Sequence, residues 1–136
     1  MPLFLAESVP QARVLVPSGI SGGSLRQLLE ACGAKFGPRR CCLELTNTAA
    51  RFSMPCSDPA GTALTRAQLR EALVGRESRL CPQLCLRYCT LPGHQFLLFD
   101  DRETGARKLA LAQELGFPSA LVRADQWGPE AAALAT

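Results

Sequence analysis

Three segments of the chain carry apolar residues at helical spacing, each between a capping residue and a stop signal. The first follows Ser24 and the second follows Thr65, each with a glutamine three residues later, as a capping box requires. The third follows Asp100 and Asp101 and ends at Gly-Phe-Pro, where glycine can adopt a left-handed conformation and proline prevents continuation. The pattern therefore predicts three helices.

Short apolar or alternating runs between these helices predict strands. Two pairs of runs look like hairpins, residues 41–54 around a Thr-Asn-Thr turn and residues 84–99 around a Pro-Gly turn. A further hairpin is expected within residues 2–17. The prediction is one α+β domain over residues 1–126, with about three helices packed on a mixed or mostly antiparallel sheet built from hairpins. Residues 127–136 are expected to form a flexible C-terminal tail.

Composition supports a folded domain and argues against two classes of partner. The chain has 136 residues, of which 47% are apolar and 20% charged, so it can bury a core. A net charge of +3 leaves nucleic-acid binding unsupported, and no apolar stretch approaches the roughly 18 residues of a membrane span. The seven cysteines are expected to be mostly reduced.

The acidic pair Asp100 and Asp101 is a candidate catalytic or Mg²⁺ site, because such carboxylates often follow strands in α/β enzymes. The stretch resembles the late Asp-Asp segment of haloacid-dehalogenase-type phosphatases and, in outline, the second half of a rhodanese. However, no aspartate precedes Asp58 to serve as the phosphatase nucleophile, and the rhodanese cysteine position carries Asp. Helix capping, with Glu103 three residues after Asp100, is the favoured alternative.

Cys81, Cys85, Cys89 and His94 lie close enough in sequence to suggest a structural zinc site. The segment from Cys85 to Cys89 has the pattern of a strand rather than of a metal-binding knuckle. Buried thiols are therefore favoured over zinc, and no cofactor is expected.

Pro2 becomes the N-terminal residue if Met1 is removed. The first 19 residues resemble the start of the tautomerase superfamily, which implies that Pro2 could act as a catalytic base beside Lys35 or Arg39. A helix is predicted where the second repeat of that family would begin with a strand. An ordinary strand start at Pro2 is the favoured interpretation.

Arginines are frequent in the middle of the chain and are the candidate partner-binding residues. Arg66 and Arg70 are one turn apart on the second predicted helix, and Arg39 and Arg40 are adjacent in sequence. Without interleaved aromatic residues they do not indicate a single-stranded nucleic-acid surface. They fit an acidic protein partner, with an ordinary solvated face as the alternative.

No complete catalytic motif is present, so the sequence favours a non-enzymatic protein-interaction or regulatory module of a soluble cytoplasmic or nuclear protein. Two alternatives stay open. One is a small enzyme that uses Pro2 or the pair Asp100 and Asp101. The other is a zinc-stabilised binding module. Homo-oligomerisation through an exposed edge strand is a further expectation.

Overall fold

A computed structural model describes residues 13–20, 23–54 and 61–135, so Pro2 and the hairpin expected within residues 2–17 lie outside, or largely outside, the described part. The elements, in chain order, are β1 (Val14–Pro17), α1 (Leu25–Phe36), a 3₁₀ helix (Pro38–Arg40), β2 (Cys41–Leu45), β3 (Ala49–Ser53), β4 (Thr62–Ala63), α2 (Arg66–Leu73), β5 (Arg79–Cys81), β6 (Leu86–Leu91), β7 (Gln95–Phe99), α3 (Arg102–Glu114), β8 (Ser119–Val122), α4 (Ala124–Trp127) and α5 (Glu130–Ala135).

Three strands form a parallel sheet in the order β1-β2-β8. Parallel neighbours need a crossover, and α1 supplies the one between β1 and β2. Val14, Val16, Leu43 and Leu45 are at most 1% exposed, and α1 and α3 pack on this sheet. The carboxyl ends of all three strands meet at one edge, which we call the carboxyl edge.

The remaining strands form an antiparallel sheet in the order β4-β3-β7-β6-β5. One face carries Leu97 and Phe99 beneath α2, and the other carries Leu86 and a stacked pair, Phe52 with Phe96, whose ring centroids are 5.1 Å apart. The predicted α+β class is confirmed. The structure refines it, because the strands divide into two sheets of different type.

One predicted hairpin is confirmed and the other is wrong. β6 and β7 pair around the Pro-Gly turn, with Leu91 opposite Gln95. β2 and β3 do not pair, because β2 joins the parallel sheet and β3 joins the antiparallel sheet. Residues 46–48 are therefore a crossing between the two sheets.

The C-terminal residues form two short helices, α4 and α5, in place of the predicted flexible tail. Trp127 is 1% exposed, and its Nε1 donates a hydrogen bond of 3.0 Å to the carbonyl of Leu45. Across the described ranges, no helix combines the length and apolar character needed to cross a membrane.

Candidate functional site

Three polar residues from separate parts of the chain contact one another at the carboxyl edge, and Arg123, whose side chain pairs with Asp125, lies three residues before one of them. Asn47 lies in the crossing after β2, Arg66 begins α2, and Arg123 and Gln126 follow β8. We call these four residues the carboxyl-edge cluster. The pairing of β2 with β8 places Asn47 near Arg123 and Gln126. Arg66 reaches them from α2, which packs on the antiparallel sheet.

The cluster is organised around the main-chain carbonyl of Gln126. Asn47 Nδ2 donates to this oxygen at 2.9 Å, and Arg66 Nη2 donates to it at 2.6 Å. Arg66 is exposed, whereas Asn47 and Gln126 are half-buried. Side-chain donors from the crossing and from α2 therefore meet at one main-chain carbonyl.

A buried hydroxyl shapes the same edge. Ser18 is fully buried directly after β1, and its Oγ accepts a hydrogen bond of 3.0 Å from the amide of Thr46. Ile20, two residues later, packs against the apolar clusters of both sheets. Ile20 thus lies between the apolar clusters of the two sheets.

Asp100 is enclosed and does not cap α3, which corrects the capping pattern expected from the sequence. Its carboxylate and the Lys108 ammonium form an ion pair of 2.8 Å, and both side chains have zero exposure. Thr104 Oγ1 donates to the same carboxylate at 2.7 Å, and the amide of Thr48 donates at 2.9 Å. A carboxylate so enclosed cannot reach a substrate or a metal ion from solvent.

Asp101 is the N-cap of α3. Its side chain accepts from the amide of Thr104 at 2.9 Å, and Thr104 Oγ1 accepts from the amide of Asp101 at 2.9 Å, which makes a capping box. Arg87 bridges Asp101 and Glu103, and its hydrogen bond with Asp101 is the main reason that its pKa is raised above its ordinary value. These contacts give Asp101 a structural role.

The residues of the candidate zinc site, the less favoured interpretation, lie apart. Cys89 faces α2, and Cys81 packs on the opposite face of the antiparallel sheet. Cys85 is in the turn before β6, where burial raises the pKa of its thiol, and His94 is in the turn at the other end of that strand. Over the described ranges, no three His, Cys, Asp or Glu residues come close enough to hold a metal ion.

The four candidate arginines do not form one surface. Arg39 and Arg40 precede β2 and so lie at the opposite end of that strand from Asn47. Arg66 belongs to the carboxyl-edge cluster, and Arg70 is exposed one turn further along α2. Sequence reasoning missed Asn47 and Gln126, because the Thr-Asn-Thr segment fits a hairpin turn equally well.

Solved structures similar in fold to this chain include chitinases. A GH18 chitinase mutant from Cycas revoluta in complex with (GlcNAc)4 matches with a TM-score of 0.55 and 13% identity, over 71% of this chain and 32% of that chain. The spore cortex-lytic enzyme SleL from Bacillus cereus matches with a TM-score of 0.64 and 14% identity, over 90% of this chain and 33% of that chain. A chitinase-like agglutinin from Robinia pseudoacacia matches with a TM-score of 0.52 and 14% identity, over 78% of this chain and 34% of that chain. The chain thus spans about a third of the length of each.

No protein-family model and no curated protein sequence matches the chain. The structural similarities nevertheless correct the prediction of a non-enzymatic protein-interaction or regulatory module, because the similar structures include chitinases and a cortex-lytic enzyme. The absence of a complete catalytic motif in the sequence does not exclude residues that are distant in sequence and meet only in the fold.

Proposed function

We propose that this chain is part of a glycoside hydrolase acting on polysaccharides of N-acetylglucosamine, and that the carboxyl-edge cluster contacts the glycan. The observation that carries the proposal is the convergence of Asn47 and Arg66 on Gln126 where three parallel strands end. Substrates of α/β enzymes bind at the carboxyl ends of parallel strands. The fold is similar to that of a chitinase bound to (GlcNAc)4, which suggests the class of substrate.

The chemistry of the cluster suits an uncharged sugar with hydroxyl and acetamido groups. Asn and Gln side chains both donate and accept hydrogen bonds, and arginine adds several donors in a fixed geometry. In the described part of this edge, Asp125 is an exposed carboxylate, and Arg123 pairs with it at 3.2 Å. Glycoside hydrolysis commonly needs two carboxyl groups. These residues therefore support glycan contact more directly than proton transfer.

Arg66 and Arg70 provide a matched pair of variants that tests the proposal. Arg66→Ala removes a donor from the cluster, whereas Arg70→Ala removes the same charge one turn away on the exposed surface of α2. We expect Arg66→Ala to weaken (GlcNAc)4 binding about tenfold, since a hydrogen bond from a charged group contributes about 1.5 kcal/mol. Arg70→Ala should bind like the unchanged protein. Isothermal titration calorimetry gives the dissociation constants.

Release of reducing ends from chitin, measured on the same samples, tests hydrolysis. Turnover together with selective loss of binding in Arg66→Ala supports the full proposal. Binding without turnover would reject hydrolysis and keep only glycan recognition. Neither binding nor turnover in the unchanged protein would overturn the proposal.

A further inference from the structure

Asp100 and Lys108 form a complete buried network for which helix capping gives no reason. Lys108 Nζ lies 2.8 Å from Oδ1 and 2.9 Å from Oδ2 of Asp100. Thr104 and Thr48 supply the remaining donors, and within the described ranges no buried side-chain nitrogen or oxygen lacks a hydrogen-bond partner. Burying two charges is costly, and well-packed apolar residues often give equal stability. The pair therefore calls for an explanation other than stability.

The network holds the crossing between the sheets at two points. Asp100 Oδ2 accepts from the Thr48 amide at 2.9 Å, and the Asp100 amide donates to the Thr48 carbonyl at 2.8 Å. Residues 46–48 belong to neither sheet, so strand pairing does not fix their conformation. Asp100 directly follows β7 of the antiparallel sheet, while Lys108 lies on α3, which packs against the parallel sheet. The ion pair thus joins both sheets to the crossing.

Asn47 directly precedes the clamped residue. Its side chain donates to Gln126, the carbonyl that also accepts from Arg66. A shift of Thr48 by a fraction of a hydrogen-bond length would move the Asn47 amide away from this carbonyl, because only one peptide unit separates the two residues.

We propose that Asp100 and Lys108 are positioning residues, which fix Thr48 and thereby hold Asn47 in the carboxyl-edge cluster in the geometry that binds glycan. The glycan part of this inference rests on the proposed function. The positioning of Thr48 and Asn47 does not depend on it and can be measured without any ligand.

The test combines Asp100→Asn with Lys108→Met, which removes both charges at similar volume and replaces one acceptor oxygen by a donor. Hydrogen exchange followed by NMR compares the Thr48 amide with amides in the middle of β7. We expect Thr48 to exchange about tenfold faster relative to those amides, since charge-assisted hydrogen bonds are roughly twice as strong as neutral ones. The Asn47 side-chain amide signals should shift, and the dissociation constant for (GlcNAc)4 should rise about tenfold.

Phe36→Leu is the control for general destabilisation. Phe36 is 8% exposed at the end of α1, beside the amino end of β2 and away from the crossing. This variant should lower overall stability while leaving the relative exchange of Thr48 and the glycan affinity unchanged. If the double variant fails to fold, Asp100→Asn with Lys108→Leu, which also leaves no unpaired charge, takes its place and is judged by the same measurements.

Unchanged relative exchange of Thr48, or equal changes in Phe36→Leu, would overturn the positioning role. Faster exchange with unaltered glycan affinity would overturn its link to binding. If the unchanged protein binds no (GlcNAc)4, the proposed function fails by itself, and the exchange of Thr48 together with the Asn47 signals still decides whether the ion pair positions the cluster.

Discussion

Two buried thiols lie next to each other, Cys32 in α1 and Cys41 at the start of β2. Cys41 is fully buried, and its Sγ–H donates to the carbonyl of Cys32 at 3.7 Å. Burial raises the pKa of both thiols above the ordinary value of 9.0, and in Cys41 the neighbouring Cys32 adds to the effect. Burial penalises the thiolate, which predicts slow alkylation of both residues in the folded protein.

The same shift predicts that stability falls in alkaline solution. Above pH 9.0 the unfolded chain loses these thiol protons while the folded chain keeps them. The folded state then binds more protons, so the free energy of unfolding decreases as pH rises from 9.0 towards the folded pKa. Urea unfolding on both sides of that pH measures the decrease. A combined Cys32→Ala and Cys41→Ala variant should show a smaller decrease, and equal slopes would contradict the assignment.

At the level of elements, α3 owes its contact with the C-terminal helices to Gly105. A Cβ at this position would lie 3.0 Å from Cη2 of Trp127 and 3.3 Å from the methyl groups of Leu134. Trp127 is 1% exposed, so it lies within the packed core. The glycine therefore lets α4 and α5 pack closely on α3, and the folded C-terminal segment depends on it.

Alanine at two helical glycines should have opposite effects. Gly105→Ala places a methyl group against Trp127, and we expect a loss of about 1–3 kcal/mol in the free energy of unfolding. At Gly33 in α1 the nearest atom, Cγ of Pro38, would be 3.6 Å from the added Cβ, which is an ordinary contact. Gly33→Ala should therefore stabilise the protein by about 0.5–1 kcal/mol through helix propensity. Urea unfolding measures both, and stabilisation by Gly105→Ala would contradict the packing.

Elements defined by local signals could be predicted from the sequence. Ser24 and Thr65 cap their helices as expected, and the Pro-Gly turn joins β6 to β7. The third helix is also predicted, but its capping residue is not. Glu103 follows Asp100 by three residues and Thr104 follows Asp101 by three, so the sequence does not distinguish the two aspartates. Burial of Lys108 leaves no sequence signal, since lysine is almost always exposed.

At the scale of the whole molecule, the site depends on which sheet each strand joins. β2 pairs with β1 and β8, its partners in the parallel sheet, and short-range pattern does not encode such distant pairing. A Thr-Asn-Thr segment fits a tight turn or a crossing equally well, and only the sheet partners distinguish them. For this reason the sequence predicts Arg66 as a candidate binding residue, but it does not predict that Arg66 and Asn47 donate to the same carbonyl of Gln126. Oligomerisation through an edge strand stays a prediction.

Ligand binding should distinguish the carboxyl end of the parallel sheet from its amino end. The carboxyl-edge cluster draws on residues 46–48, the start of α2 and residues 123–127, whereas Arg39 and Arg40 mark the amino end of β2. We expect (GlcNAc)4 to slow hydrogen exchange in the first three segments, because a bound sugar excludes water from amides that it covers. Residues 37–41 should exchange at an unchanged rate. Peptide-level mass spectrometry of the whole protein resolves these segments, and protection centred on residues 37–41 would place the glycan at the wrong end of the sheet for the proposed site.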